Sequence, residues 1–227
     1  LYVKMGQISS LSNNIMLDVA KSHVILVCGK RGSGKSVSGS LIGEEISRLP
    51  IETKNNLSVL FFDTMGIFWT MKFPNKRQED LLRQWNINPE GINIKLFVPE
   101  GLFQDYLDAG VPADFPFAIR TSELNASDWV NVFDIKLTDS IGVLIERIIA
   151  ELKEENQDYS IKEIISIIQH DSRSERSAKD AAINRFLSAE SWGLFKESGT
   201  RVEDLIKPGT INVIDTSAYT NVSGNWE

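Results

Sequence analysis

The chain of 227 residues carries 24 basic and 31 acidic side chains, a formal net charge of −7, with 42% hydrophobic and 24% charged residues. That length and balance suit one packed α/β domain with room for an insertion, and they exclude a low-complexity chain or one coated in basic surface. One cysteine, Cys28, excludes an internal disulfide or a thiolate cluster; no apolar run reaches membrane-spanning length and no signal-like segment opens the sequence, so a cytoplasmic setting without membrane contact is expected.

Leu1 to Lys21 is a mixed approach segment, with Ile15–Asp18 its best short strand. Val24 to Cys28 is a continuous β-branched apolar run, the pattern of a strand buried on both faces. Gly29 to Ser36 then reads G-K-R-G-S-G-K-S and meets every specified position of G-x-x-x-x-G-K-[ST]. Val37, Leu41 and Ile46 recur at roughly helical spacing, and Pro50 marks the far side of the helix end. Strand, glycine loop and helix in that order form a phosphate cradle. Glycines 29, 32 and 34 let backbone N–H groups turn inward around an anion, and the helix start adds partial positive charge. The expected nucleotide contacts are Gly29, Lys30, Arg31, Gly32, Ser33, Gly34, Lys35, Ser36 and Val37. Lys35 is expected to reach the β- and γ-phosphates, and the Ser36 hydroxyl to join a Mg²⁺ shell.

Leu57 to Asp63, "LSVLFFD", is a second strong strand ending in the turn "TMG". Residues 73–89 are polar and helical in places; Ile94–Val98 is a third strand and Phe117–Ile119 a short fourth. Helices are predicted over Ile141–Lys153, Ile161–Gln169 and Ser177–Leu187, before a last buried strand at Ile211–Asp215. The pattern predicts an α/β fold of the P-loop NTPase (RecA/ASCE-like) type, with a mostly parallel sheet. Residues 1–227 read as a single domain, with a mainly helical insertion over 120–207.

Two strands end in aspartate, Asp63 and Asp215. A carboxylate at such a strand end can hold Mg²⁺ directly or through water, or it can cap a turn. Asp63 therefore joins Lys35 as a catalytic candidate and Ser36 as a metal candidate. Asp63-Thr64-Met65-Gly66 also fits the D-x-x-G of P-loop GTPases, but the guanine-reading N-K-x-D is missing, since Asn75-Lys76 runs into Arg77-Gln78. A small-molecule kinase could use Arg173, Arg176 and Lys179 in "HDSRSERSAKD" as a phosphate lid; the same spacing describes a solvated helix face.

The order of segments resembles the HerA/FtsK family of ring-forming motor ATPases, in its HerA-like branch. The likeness begins at "HVILVCGKRGSGKS", continues at "VLFFDTMGIFW" and "FAIRTSELNASDWVNVF", and closes at "LIKPGTINVIDTS". It implies an ATP-binding subunit that uses Mg²⁺, assembles into a homo-hexameric ring and moves double-stranded DNA, with a nuclease partner of the kind that accompanies HerA. DNA phosphates would meet Lys72, Lys76 and Arg77 in "MKFPNKRQ", which otherwise reads as an ordinary exposed loop. Three departures stand out: Arg31 where the family usually has threonine, Ile67 where many relatives have glutamate, and no Asp-Glu pair or arginine finger beyond Asp215. They lead to the expectation of a chain cut before those elements. The alternatives are a nucleotide-binding assembly module without turnover and a small-molecule P-loop kinase.

Overall fold

A computed structural model describes residues 2–5, 8–11, 17–18, 21–84, 86–154 and 158–220. The chain divides into two units, residues 1–39 and 40–227. In the first, β1 (Tyr2–Met5) and β2 (Ile8–Leu11) form an antiparallel hairpin in the register Tyr2↔Leu11. The strand expected at 15–18 falls largely outside the described residues. α1 (Lys35–Ser47) begins directly after the glycine loop and runs across the division at residue 39.

The strand expected at Val24–Cys28 does not form. No ladder includes these residues, Val24 is 100% exposed, and Cys28 is exposed as well. An apolar β-branched run records a propensity, whereas a strand buried on both faces exists only through two neighbours that pair with it. No such neighbours occur at 24–28 among the described residues.

The second unit continues with α2 (Ile51–Lys54), β3 (Val59–Asp63), α3 (Glu79–Gln84), β4 (Ile94–Pro99), α4 (Phe103–Asp108), β5 (Phe115–Phe117) and β6 (Ile119–Arg120). Four helices follow: α5 (Ala126–Val132), α6 (Ser140–Glu154), α7 (Ile161–His170) and α8 (Arg176–Ser191). β7 (Phe195–Lys196), α9 (Val202–Leu205), β8 (Ile211–Asp215) and α10 (Ser217–Thr220) complete it.

Its main sheet has the order β3-β8-β4-β5, and every pairing is parallel. β8 lies between β3 and β4, in the register Val59↔Ile211↔Ile94, and all five of its residues are buried. Ile94, Leu96, Val98, Ile211 and Val213 pack on one face of the sheet, and Phe97, Ile214 and Leu205 cluster on the other. Each such aliphatic side chain contributes about 1.5–3 kcal/mol when fully buried. β3 is an edge, and Phe62 on it is 70% exposed. α1 crosses β3 at Gly43, where an added Cβ would stand 2.9 Å from the Phe61 ring.

The helices α5 to α8 form their own core around Trp129, Ile145, Ile148, Ile164, Ile168 and Phe186. α7 starts with a capping box: Ser160 N–H donates to Glu163 Oε2 at 2.7 Å, and Glu163 N–H donates back to Ser160 Oγ at 3.4 Å. The bonds from Ser160 hold the Glu163 carboxyl below its usual range. Arg147 on α6 pairs with Asp171, in the turn after α7, at 2.8 Å. Short strands and a close backbone crossing lie where the helices meet the sheet. There β6 and β7 pair in parallel, and Gly101 N–H donates to Gly193 O at 2.9 Å. At that crossing a Cβ on Gly101 would stand 2.6 Å from Gly193 Cα, and Gly193 itself has φ +64°.

Gly142 supplies a test of this packing. Inside a helix, Gly→Ala ordinarily stabilises by about 0.5–1 kcal/mol. Here the new methyl would meet the Lys136 carbonyl and stand 2.8 Å from Leu137 Cα, both backbone atoms. Gly142→Ala is therefore expected to destabilise, by about 1–3 kcal/mol in chemical denaturation, and a gain in stability would contradict the packing of α6 on the 136–137 turn.

Candidate nucleotide site

In the first unit the glycine loop is organised by its own backbone. Ser33 N–H donates to Lys30 O at 3.1 Å, closing a turn with Gly32 at φ +78°. Gly34 follows at φ +90°, a second left-handed position that only glycine adopts freely. At Gly29 an added Cβ would press on the Ser33 side chain, so glycine leaves room for that hydroxyl. α1 then starts at Lys35 with no acidic side chain in its first turn, leaving its positive end uncompensated. Among the described residues, no acceptor in the protein takes the amides of Gly32, Gly34, Lys35 or Ser36. Lys35 Nζ folds back on the loop, donating to Gly29 O at 2.8 Å and Lys30 O at 3.1 Å. A cation resting on two carbonyls beside a row of open amides is suited to exchange those carbonyls for phosphate oxygens. The expected contacts from Gly29 to Val37 thus share one loop and helix start.

Asp63 belongs to the second unit, where it is directly opposite Asp215 in the parallel register of β3 and β8. Both aspartates are buried at the C-terminal ends of their strands, the edge at which open α/β sheets bind ligands. Each Asp63 oxygen accepts two amides. Oδ1 takes those of Met65 (3.0 Å) and Gly66 (2.9 Å), and Oδ2 those of Ile67 and Phe68 (both 2.7 Å). A carboxylate offers about four lone-pair sites, so the amides of residues 65–68 occupy them all. No group of three or more His, Cys, Asp or Glu side chains among the described residues could hold a metal.

Asp215 Oδ1 accepts Ser217 N–H at 2.8 Å and the Tyr106 hydroxyl, from α4, at 3.1 Å. Thr216 N–H donates to Asp63 O at 2.8 Å, so the two strand-end turns are laced together. Burial, aided by the Asp215 charge, pushes the Tyr106 phenol up; burial and Tyr106 push Tyr219 up to about 12. Tyr219 in turn donates to Trp192 O at 2.7 Å, at the end of α8. Tyr106, Ser217 and Tyr219 escaped the sequence reading. Ser217, two residues beyond a strand-terminal aspartate, fits a side-chain-capped turn, whereas Tyr106 meets Asp215 only through the fold.

Asp63→Asn separates a turn organiser from a metal ligand. The amide keeps one acceptor oxygen and turns an NH₂ toward two N–H donors. The metal-free protein is then expected to lose about 2–6 kcal/mol of stability, at 1–3 kcal/mol per unsatisfied donor. Unchanged unfolding without Mg²⁺ would show that the four amide bonds are dispensable.

Among known protein families, the one described as Helicase HerA, central domain (DUF87) matches the chain over residues 3–223. A comparison with curated proteins and one with solved structures each found no match. No helix among the described residues is long and apolar enough to cross a membrane. The glycine loop, the parallel sheet and a family match that spans nearly the whole sequence agree, and the chain belongs to the HerA central-domain family, as a P-loop ATPase domain of the HerA/FtsK type.

Proposed function

We propose that this domain binds ATP with Mg²⁺ as a subunit of a homo-oligomeric ring that moves double-stranded DNA. The observation that carries the reading is the loop at 29–36, with its open amides and its folded-back Lys35, inside a HerA-family match. On nucleotide binding, Lys35 would leave the Gly29 and Lys30 carbonyls for the β- and γ-phosphates, and the loop amides would take the remaining oxygens. Bound Mg²⁺ would neutralise charge on those phosphates, with the Ser36 hydroxyl as the protein's contact to it. Asp63 would act through the turn it holds. P-loop ATPases often complete the site with an arginine supplied in trans, and a ring is the assembly that provides one at every interface. A nuclease partner and a cytoplasmic setting are part of the same proposal, by family likeness.

Of the three cations in "MKFPNKRQ", Lys72 is engaged, since its ammonium donates to Asp114 and to Pro112 O, both at 2.6 Å. Lys76 and Arg77 are exposed and pair with no carboxylate among the described residues. Phe73 beside them is 55% exposed and stands edge-on to Trp69. The DNA contact is therefore proposed for Phe73, Lys76 and Arg77, with Lys72 as a structural partner of Asp114.

Lys35→Ala is expected to abolish ATP binding measured by calorimetry, and with it any DNA-stimulated hydrolysis. The circular dichroism spectrum should not change, because Lys35 is exposed. Each lost charge-assisted bond is worth about 1.5–3 kcal/mol, so undiminished affinity would sink the assignment. Replacing both Lys76 and Arg77 by alanine should weaken binding to duplex DNA of any sequence. It should also reduce the slope of log K against log salt by about 1.8, or 0.9 per phosphate contact. An unaltered slope would remove this segment from the DNA interface.

A further inference from the structure

We infer that Arg31 is a specificity residue of the nucleotide site, one that grips the terminal phosphate and makes the loop prefer a nucleoside triphosphate to a diphosphate. The inference rests on the reading of 29–36 as the ATP site and extends it to the choice between nucleotides. The turn closed by Ser33 N–H and Lys30 O places Arg31 at its first central position, with Gly32 at φ +78° in the second, the arrangement of a type II turn. Arg31 is exposed at the apex of the loop. Seven arginines of this acidic chain pair with carboxylates. Arg31 and its neighbour Lys30 pair with none among the described residues, and α1 brings no acid into its first turn. The loop thus keeps two uncompensated cations beside Lys35 in a protein of net charge −7.

Position makes Arg31 the more telling of the two. Lys35 Nζ rests 3.1 Å from Lys30 O, the carbonyl of the peptide that joins Lys30 to Arg31. A phosphate that draws this ammonium away therefore docks next to the backbone from which the Arg31 side chain springs. The long side chain and planar fork of an arginine suit the outermost phosphate, where two oxygens can accept side by side, while the lysine acts as a point charge between phosphates. With a diphosphate, Lys35 and the loop amides still find their oxygens, but the group that the fork would hold is missing. Removing Arg31 should consequently cost triphosphate binding far more than diphosphate binding.

The test is calorimetric titration of the 227-residue protein with ADP and with a non-hydrolysable ATP analogue, each with Mg²⁺. Arg31→Ala should weaken the triphosphate about ten- to a hundredfold, the value of one charge-assisted contact, and change ADP binding by less than about threefold. Arg31→Lys should recover part of the difference, because the charge returns without the fork. Lys136→Ala, which removes an exposed positive charge elsewhere, should alter neither affinity. Equal weakening of both nucleotides by Arg31→Ala, or no weakening of either, overturns the inference while leaving the ATP site intact. Failure of the unmodified protein to bind either nucleotide overturns the site itself and this inference with it.

Discussion

The arrangement of the second unit depends on one strand pairing with two others. β8 is the last strand among the described residues, yet it lies inside the sheet, in parallel with β3 on one side and β4 on the other. More than a hundred residues separate β4 from its neighbour in space, and the helices α5 to α8 lie within that span. Closing so long a connection costs only slowly growing entropy, but it delays the contacts that reward it. The sheet core around Leu96 and Val213 cannot assemble until the helices have been bypassed or have folded, and those helices possess a core of their own to fold around.

The same pairing sets the strand ends. Register places Asp63 beside Asp215, and the chain must turn sharply after each. Two buried carboxylates on adjacent strands would repel unless each were surrounded by donors. Asp63 collects four amides, while Asp215 takes an amide and a phenol. The polar edge is thereby stiffened, and Tyr219 extends the network to the last turn of α8 through Trp192. Sheet, strand-end turns and helices share one continuous set of hydrogen bonds.

Much of this was legible in the amino acids. β8 begins and ends where "INVID" does, and α6 and α7 follow the periodicity of their isoleucines to within a residue or two. The P-loop was visible because its chemistry is local: glycine at left-handed positions, lysine and serine at the helix start. What remained hidden depended on distant partners. Val24–Cys28 has the composition of a strand without the pairing, and Lys72 looked available until Asp114 was seen beside it. Asp63 was equally ambiguous, because the backbone amides that surround it leave no trace in side-chain identity. Tyr106 has no local signal, since its partner lies 109 residues away.

The crossing at Gly101 and Gly193 limits which changes the chain can accept there. There two main chains meet with no side chain between them, flanked by the β6–β7 pair, by the amides of Ile119 and Thr200 on Leu194 O and Ala118 O, and by the Lys196–Glu100 ion pair. At the glycine crossing itself the contact is between main chains, so it does not depend on which side chains fill the bundle beyond. Residues deep in the helical core could change without altering this crossing, whereas the sheet senses the end of α8 through the two glycines and through the Trp192 carbonyl that Tyr219 holds. The two glycines mark the position at which neither main chain tolerates a side chain, whatever fills the helical core beyond.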